Sequence, residues 1–347
     1  MELELKPDFE QARRRWDAFW RSGEQERPIL QITDPRPGRK GVQRPYPARP
    51  DRDPGPQIEQ LLAWAAEYEY LGEAVPCYTL EFGPEHFATF LGAEMYYHPE
   101  PHDTGWALPF VRDWDDAPIE LKRDSFYWER TLEFIRAFRA RCDGSLLVCT
   151  PVLSAGLDAL AAIRGPQELL TDLMDCPQKV QRALADVRRV YGEVIPVLAE
   201  TLGWAERGSA NWQSMYCSGR TSIIQCDFSC MIARSMFREF ALPCQEDEAS
   251  YYDAVTYHLD GPQAAHHLEA LCAMPGIDVI QYVPVPSETR EHVESVYEGA
   301  LALGKGIIRG ADAALARRMW AEHPGRRLVF SLGMGSRREA QELMDSF

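Results

Sequence analysis

Apolar positions along this chain change period repeatedly, and the changes outline the fold. Phe9, Ala12, Trp16, Phe19 and Trp20 recur at helical spacing and predict a helix over Asp8–Arg21. The same spacing returns at Gln57–Tyr70, Tyr127–Arg141, Pro166–Asp175, Pro177–Leu202 and Ala233–Tyr251. It returns again at Gln263–Cys272, Glu288–Leu303, Ala311–Ala321 and Arg337–Phe347. Between these stand short β-favouring runs: Val75–Leu80, Leu146–Cys149, Trp212–Tyr216, Ser222–Gln225, Ala254–Leu259, Val279–Val283, Gly306–Ile308 and Leu328–Ser331. A further short strand is expected at Pro28–Ile32. Strands alternating with helical crossovers predict an α/β fold, a single (β/α)8 TIM barrel with its pocket at the C-terminal strand ends. Residues 1–56 read as an N-terminal helix and an Arg/Pro-rich loop extension, and residues 57–347 as the barrel. The aromatic stretch from Glu81 to Val111 breaks the alternation and reads as an insertion or lid.

A net charge of −16 and the lack of any dense Lys/Arg run exclude a general nucleic-acid binder. The N-terminus lacks a signal-type apolar core, and no apolar run is long enough for a bilayer, so a cytoplasmic protein without membrane contact is expected. Nine scattered cysteines without a Cys-x-x-Cys pair do not form a secreted disulfide framework. The loop from Asp34 to Pro56 carries Arg36, Arg39, Lys40, Arg44, Arg49 and Arg52. It is either a solvated excursion or an anion-facing flap over a pocket.

The richest chemistry sits in Tyr257-His258-Leu259-Asp260-Gly261. On a strand His258 and Asp260 share a face, and the glycine lets the chain turn away. The strand Ser222–Gln225 ends in Cys226 and Asp227. Cys226, His258 and Asp260 supply thiolate, imidazole and carboxylate, three ligands that suit a catalytic zinc with one open position. Otherwise Cys226 is a buried thiol and the acids are caps. Asp260, Asp227 and Glu81 are the candidate acids and bases. Asp158 and Arg164 flank a short helix and either bind substrate or cap and pair. Gln281 and Tyr282 end the next strand and are expected on the pocket wall. Adjacent His266 and His267 point apart on a helix and read as structural.

Taken together, Gly156-Leu157-Asp158-Ala159-Leu160, Gln225-Cys226-Asp227-Phe228-Ser229, Phe237-Arg238-Glu239-Phe240 and Tyr257-His258-Leu259-Asp260-Gly261-Pro262 resemble the uroporphyrinogen decarboxylase superfamily. That superfamily includes corrinoid- and thiol-dependent methyltransferases and is related to cobalamin-independent methionine synthase. The match runs from about Val75 to the C-terminus and resembles a branch with a His-Leu-Asp-Gly signature. It implies a single barrel, a homodimer and a metal-assisted methyl (one-carbon) transferase acting on a thiol or corrinoid-linked methyl group. A separate corrinoid protein is then a possible partner beside the small-molecule substrate. The alternatives are a metal-free decarboxylase or lyase of a carboxylated pyrrole-like or other small acid, and a non-catalytic tetrapyrrole- or corrinoid-binding barrel. Two departures stand out. The Arg36–Arg52 loop does not match the Met-Arg-Gln-Ala-Gly-Arg motif of true decarboxylases. The late thiolate of the methyltransferases falls here on Gly333-Met334-Gly335.

Overall fold

Parallel strands, most of them buried on both faces, dominate the structure. It is a computed structural model that describes every residue except 1, 22, 46–47, 99–104, 116–117 and 143. In chain order the strands are β1 (Ile29–Pro35), β2 (Tyr68–Gly72), β3 (Cys77–Thr79), β4 (Glu94–Tyr97), β5 (Gly105–Leu108) and β6 (Leu147–Cys149). After them come β7 (Ser209–Ala210), β8 (Tyr216–Cys217), β9 (Thr221–Gln225), β10 (Ala254–Asp260), β11 (Val279–Val283), β12 (Gly306–Gly310) and β13 (Leu328–Leu332). A seven-stranded sheet runs β2-β1-β13-β12-β11-β10-β9. Only the β1–β2 pairing within it is antiparallel. The other strands are near-continuous apolar runs, as two-sided burial requires. β3 and β6 form a separate parallel pair.

The pairing corrects the expected set of eight strands. Ile29–Pro35, left outside that set, is a full sheet member beside β13. Trp212–Tyr216, counted as a barrel strand, is a turn. The Asn211 carboxamide oxygen accepts from the backbone N–H of Gln213 at 3.0 Å and of Met215 at 3.2 Å. Ser214 takes a φ of 58°. A side chain that satisfies two local amides competes with an extended backbone, and here it wins. Only Tyr216–Cys217 pairs, with Ser209–Ala210. Among the described residues no continuous eight-strand ladder closes. The β3–β6 pair is tied to β9 instead by Thr150, whose hydroxyl donates to the Thr221 carbonyl at 2.8 Å.

The turn at 211–215 fills the space enclosed by the strands. Its Gln213 carbonyl accepts from Gln31 Nε2 on β1 at 2.9 Å. Ser214 Oγ accepts from Cys77 Sγ on β3 at 3.2 Å, and Met215 Sδ accepts from Thr256 Oγ1 on β10 at 3.3 Å. The helix Phe9–Arg21 covers this hairpin from below, with Trp20 Nε1 donating to the Tyr216 carbonyl at 2.7 Å. One apolar core lies among these parts and the inward residues Ile29, Val279 and Val329. A larger core fills the layer between the strands and the outer helices. The segment expected as an insertion forms a short helix, His86–Phe90, and the antiparallel hairpin β4–β5. No helix among the described residues is long and apolar enough to cross a membrane.

Candidate functional site

Strand register builds the site. His258 on β10 lies opposite Gln225 on β9 and Gln281 on β11. Laterally paired residues face the same way, so the three make one row on the inner face. Gln281 Oε1 lies 2.8 Å from His258 Nδ1. With the carboxamide oxygen accepting, Nδ1 carries the ring proton and Nε2 keeps a free lone pair. Gln225 Nε2 donates to Asp227 Oδ2 at 2.9 Å and to Ser154 Oγ at 3.0 Å, which orients the carboxylate. Asp260, two residues beyond His258, follows it on the same face. One ligand atom each from Asp227, His258 and Asp260 lies within 4.8 Å of the others. The Trp212 indole packs edge-on against the His258 ring at 5.2 Å.

Two acids here, Asp227 and Asp158, hold protons unusually well. Burial raises the Asp227 pKa, the nearby His258 lowers it and Asp260 raises it, with a net upward shift. Asp158 accepts from the backbone N–H of Asp227 at 2.9 Å and of Phe228 at 2.8 Å, so it caps the 3-10 turn Asp227–Met231. Burial, with the Asp227 charge second, nevertheless lifts Asp158 to about 7. A carboxyl whose folded pKa exceeds its unfolded value contributes fully at low pH and loses that contribution as pH rises. Stability is therefore expected to fall between about pH 4 and pH 7 through this group. Asp158→Asn is expected to flatten that part of the curve; an unchanged slope in urea titrations at several pH values would remove Asp158 as its source. A cavity of about 320 Å³ opens beside Asp158 and Asp227, with Glu85, Ser154 and Met231 on its wall.

The other expected site residues separate. Cys226 is 3% exposed and belongs to the outer apolar core with Ile224, Tyr257 and Leu259. It follows Gln225 by one residue, so the strand period of two turns it away from His258. Burial pushes its thiol up, and it does not join the cup. Arg164 does not reach the site either. Its guanidinium pairs with Asp172 at 2.7 Å and donates to the Val111 and Arg112 carbonyls, a structural clamp at the far end of helix Gly156–Arg164. Tyr282 borders a smaller cavity of about 270 Å³ that Gln281 also lines, but its hydroxyl is spent on Glu288 Oε1 at 2.5 Å. Glu81 stands outside the three-residue cluster, and its carbonyl anchors the basic loop by accepting from Ala48 N–H at 3.1 Å. His267 is structural as expected: it stacks on Phe237 at 4.1 Å, and its Nε2 lies 3.1 Å from the Ser229 carbonyl.

Gln225, Trp212 and Gln213 were not among the expected site residues. A glutamine at the end of an apolar strand, one strand over from a histidine, was the available signal for Gln225. Nothing in the local pattern announces that a turn will fill the centre of the strand set.

No protein-family profile matches the chain, and no curated protein matches it in sequence. Among solved structures, a methyltransferase from Methanosarcina mazei shares the fold with a TM-score of 0.61 at 11% identity. The match covers 96% of this chain and 97% of that one. An HpcH/HpaI aldolase from Desulfitobacterium hafniense DCB-2 matches over 46% of this chain and 76% of its own, with 15% identity and a TM-score of 0.23. The chain is thus a mixed α/β protein with the overall fold of the Methanosarcina mazei methyltransferase.

Proposed function

We propose that this chain is a metal-assisted methyl (one-carbon) transferase of the uroporphyrinogen decarboxylase-like kind. In this reading the strands make a (β/α)8-type ring whose gap, between the β2 edge of β1 and β9, holds the β3–β6 pair. The observation that carries the proposal is the meeting of Asp227, His258 and Asp260 at the C-terminal strand ends, with His258 held in one tautomer by Gln281. The full-length structural likeness to a methyltransferase supports the reaction class.

The donor set fits a divalent cation. One imidazole and two carboxylates suit zinc, and equally the harder manganese or iron(II), because Cys226 lies in the apolar core and adds no thiolate. A bound cation would lower the pKa of an acceptor thiol and raise its thiolate fraction near neutral pH. The residues do the rest. Gln281 and Gln225 fix the ligands in place. Trp212 shields one side of His258 from water. Asp158, buried on the wall of the adjoining cavity, is suited to hold the proton that the thiol gives up. Gln281→Leu removes a partner of the imidazole alone. It is expected to weaken metal affinity by about 10–100-fold, measured by competition with a chromophoric chelator. Unchanged affinity would mean that Gln281 does not orient the ligand.

The direct test supplies methylcobalamin and a panel of small thiols to the metal-loaded protein. The methyl group leaves cobalt without its bonding pair, a C–S bond forms, and cob(I)alamin and a thioether remain. Absorbance reads the first product and mass spectrometry the second. Metal-dependent thioether formation is the expected result. No transfer to any thiol, with release of CO2 from a carboxylated pyrrole instead, would replace this reading by the lyase one. A separate corrinoid protein is the proposed natural methyl source.

A further inference from the structure

A second cavity, of about 420 Å³, lies on the inner side of β1 and β3 beside the hairpin turn. Its walls include the indoles of Trp64 and Trp212, the polar side chains of Gln31 and Ser331, and Arg44. None of the three cup residues lines it. Arg44 comes from the basic loop after β1 and is the cation on this wall. Three other arginines of the loop are engaged: Arg36 donates to the Ala66 carbonyl, Arg39 pairs with Glu67, and Arg49 pairs with Asp51. Arg44 differs. Its guanidinium lies 4.9 Å from the centroid of the Tyr78 ring, and its buried Nε has no hydrogen-bond partner. Among the described residues no carboxylate pairs with it.

We propose that this cavity binds a small organic monocarboxylate with a flat apolar body. A half-buried guanidinium with no carboxylate partner among the described residues is stabilised by an anion, and its planar fork matches a carboxylate. Stacking on Tyr78 uses the face of the group and leaves its in-plane donors free. The polar wall beside it is already satisfied, since Gln31 Nε2 donates to the Gln213 carbonyl and Gln31 Oε1 accepts from Ser331 Oγ at 3.1 Å. A single cation on the wall selects one negative charge over a phosphate dianion. The two indoles offer flat apolar area for the rest of the molecule. The volume lies at the small end of the range for small-molecule pockets. Because Trp212 also packs on His258, a ligand here would sit against the wall shared with the cup. The proposal is independent of the metal reading.

The test is calorimetric titration of the full chain in the presence of EDTA, with benzoate, benzamide and inorganic phosphate as probes. Benzoate is expected to bind at one site, with benzamide at least about 10-fold weaker, as loss of a charge-assisted pair implies. Arg44→Gln is expected to weaken benzoate by about 10–100-fold, and Arg39→Gln, at a loop arginine paired with Glu67 and not on the cavity wall, to leave it unchanged. Equal binding of benzoate and benzamide by the wild-type protein would overturn the proposal whatever the folding of the variants. So would full affinity in Arg44→Gln, loss of benzoate binding in Arg39→Gln, tighter binding of phosphate than benzoate, or no binding of benzoate at all.

Discussion

Replacing His258 with alanine is expected to lower bound divalent metal from about one equivalent to under about a tenth, with the far-UV circular dichroism spectrum unchanged. His258 is the one neutral ligand of the cup. Removing it leaves Asp227 and Asp260, and it also removes the group that opposes protonation of Asp227, which burial first and the Asp260 charge second favour. Protons then compete with the metal for the remaining ligands. The effect is legible in thermal melts as well. Saturation at about a hundred times Kd stabilises a folded protein by about 2.7 kcal/mol. With an unfolding entropy of about 2.1 cal/mol/K per residue, that raises Tm of a chain of this length by about 4 °C. Wild-type protein should show this rise with zinc or manganese at pH 7.5, and His258→Ala should show none. A variant that still purifies with a full equivalent of metal would place the ion elsewhere and end the proposed chemistry.

The largest loss of stability is expected from Glu73→Ala, about 3–5 kcal/mol in urea unfolding. Glu73 is 2% exposed and lies just after β2. Its carboxylate takes two bonds from Arg27, at 2.6 and 3.2 Å, and one from the Leu30 backbone N–H at 2.9 Å. Its carbonyl accepts from Trp16 Nε1 at 2.9 Å. One residue thus joins the covering helix, the start of β1 and the end of β2. Alanine leaves the Arg27 guanidinium without its carboxylate and the Leu30 amide without a partner, which costs far more than the pair contributes. Glu73→Gln retains an acceptor for Leu30 and should lose less. A change under about 1 kcal/mol in Glu73→Ala would show that water replaces the carboxylate at that junction.

Much of this was readable from residue order. The helices Pro177–Leu202 and Phe9–Arg21, and the strands β10 and β11, follow their apolar periods closely. The pairing of His258 with Asp260 on one face needs only the strand period. The chemical type of Cys226 points to a ligand and its parity does not: it is one residue out of phase with Gln225, and that step decides which face it occupies. Arg164 stands outside the site for another reason. Its partner Asp172 is on the next helix, and a short sequence distance did not reveal that the guanidinium would be fully used. Trp212–Tyr216 has the composition of a strand, and only the Asn211 side chain, which closes the turn on itself, overrules it. The ring of contacts around that turn joins residues far apart in the chain, and such contacts cannot be read from any local window.

The inserted turn changes how this scaffold could diversify. In most enzymes built on parallel strands, altering the floor of the active site means altering strand residues that also hold the architecture. Here Trp212 and Gln213 reach the cavity beside β1 and β3, and Gln213 also the smaller one beside β11, from a peninsula. Substitutions at those two positions can reshape both chambers and leave every strand ladder intact. Specificity and framework are thereby separable in this protein, and a library confined to the two peninsular positions is the economical route to new ligands.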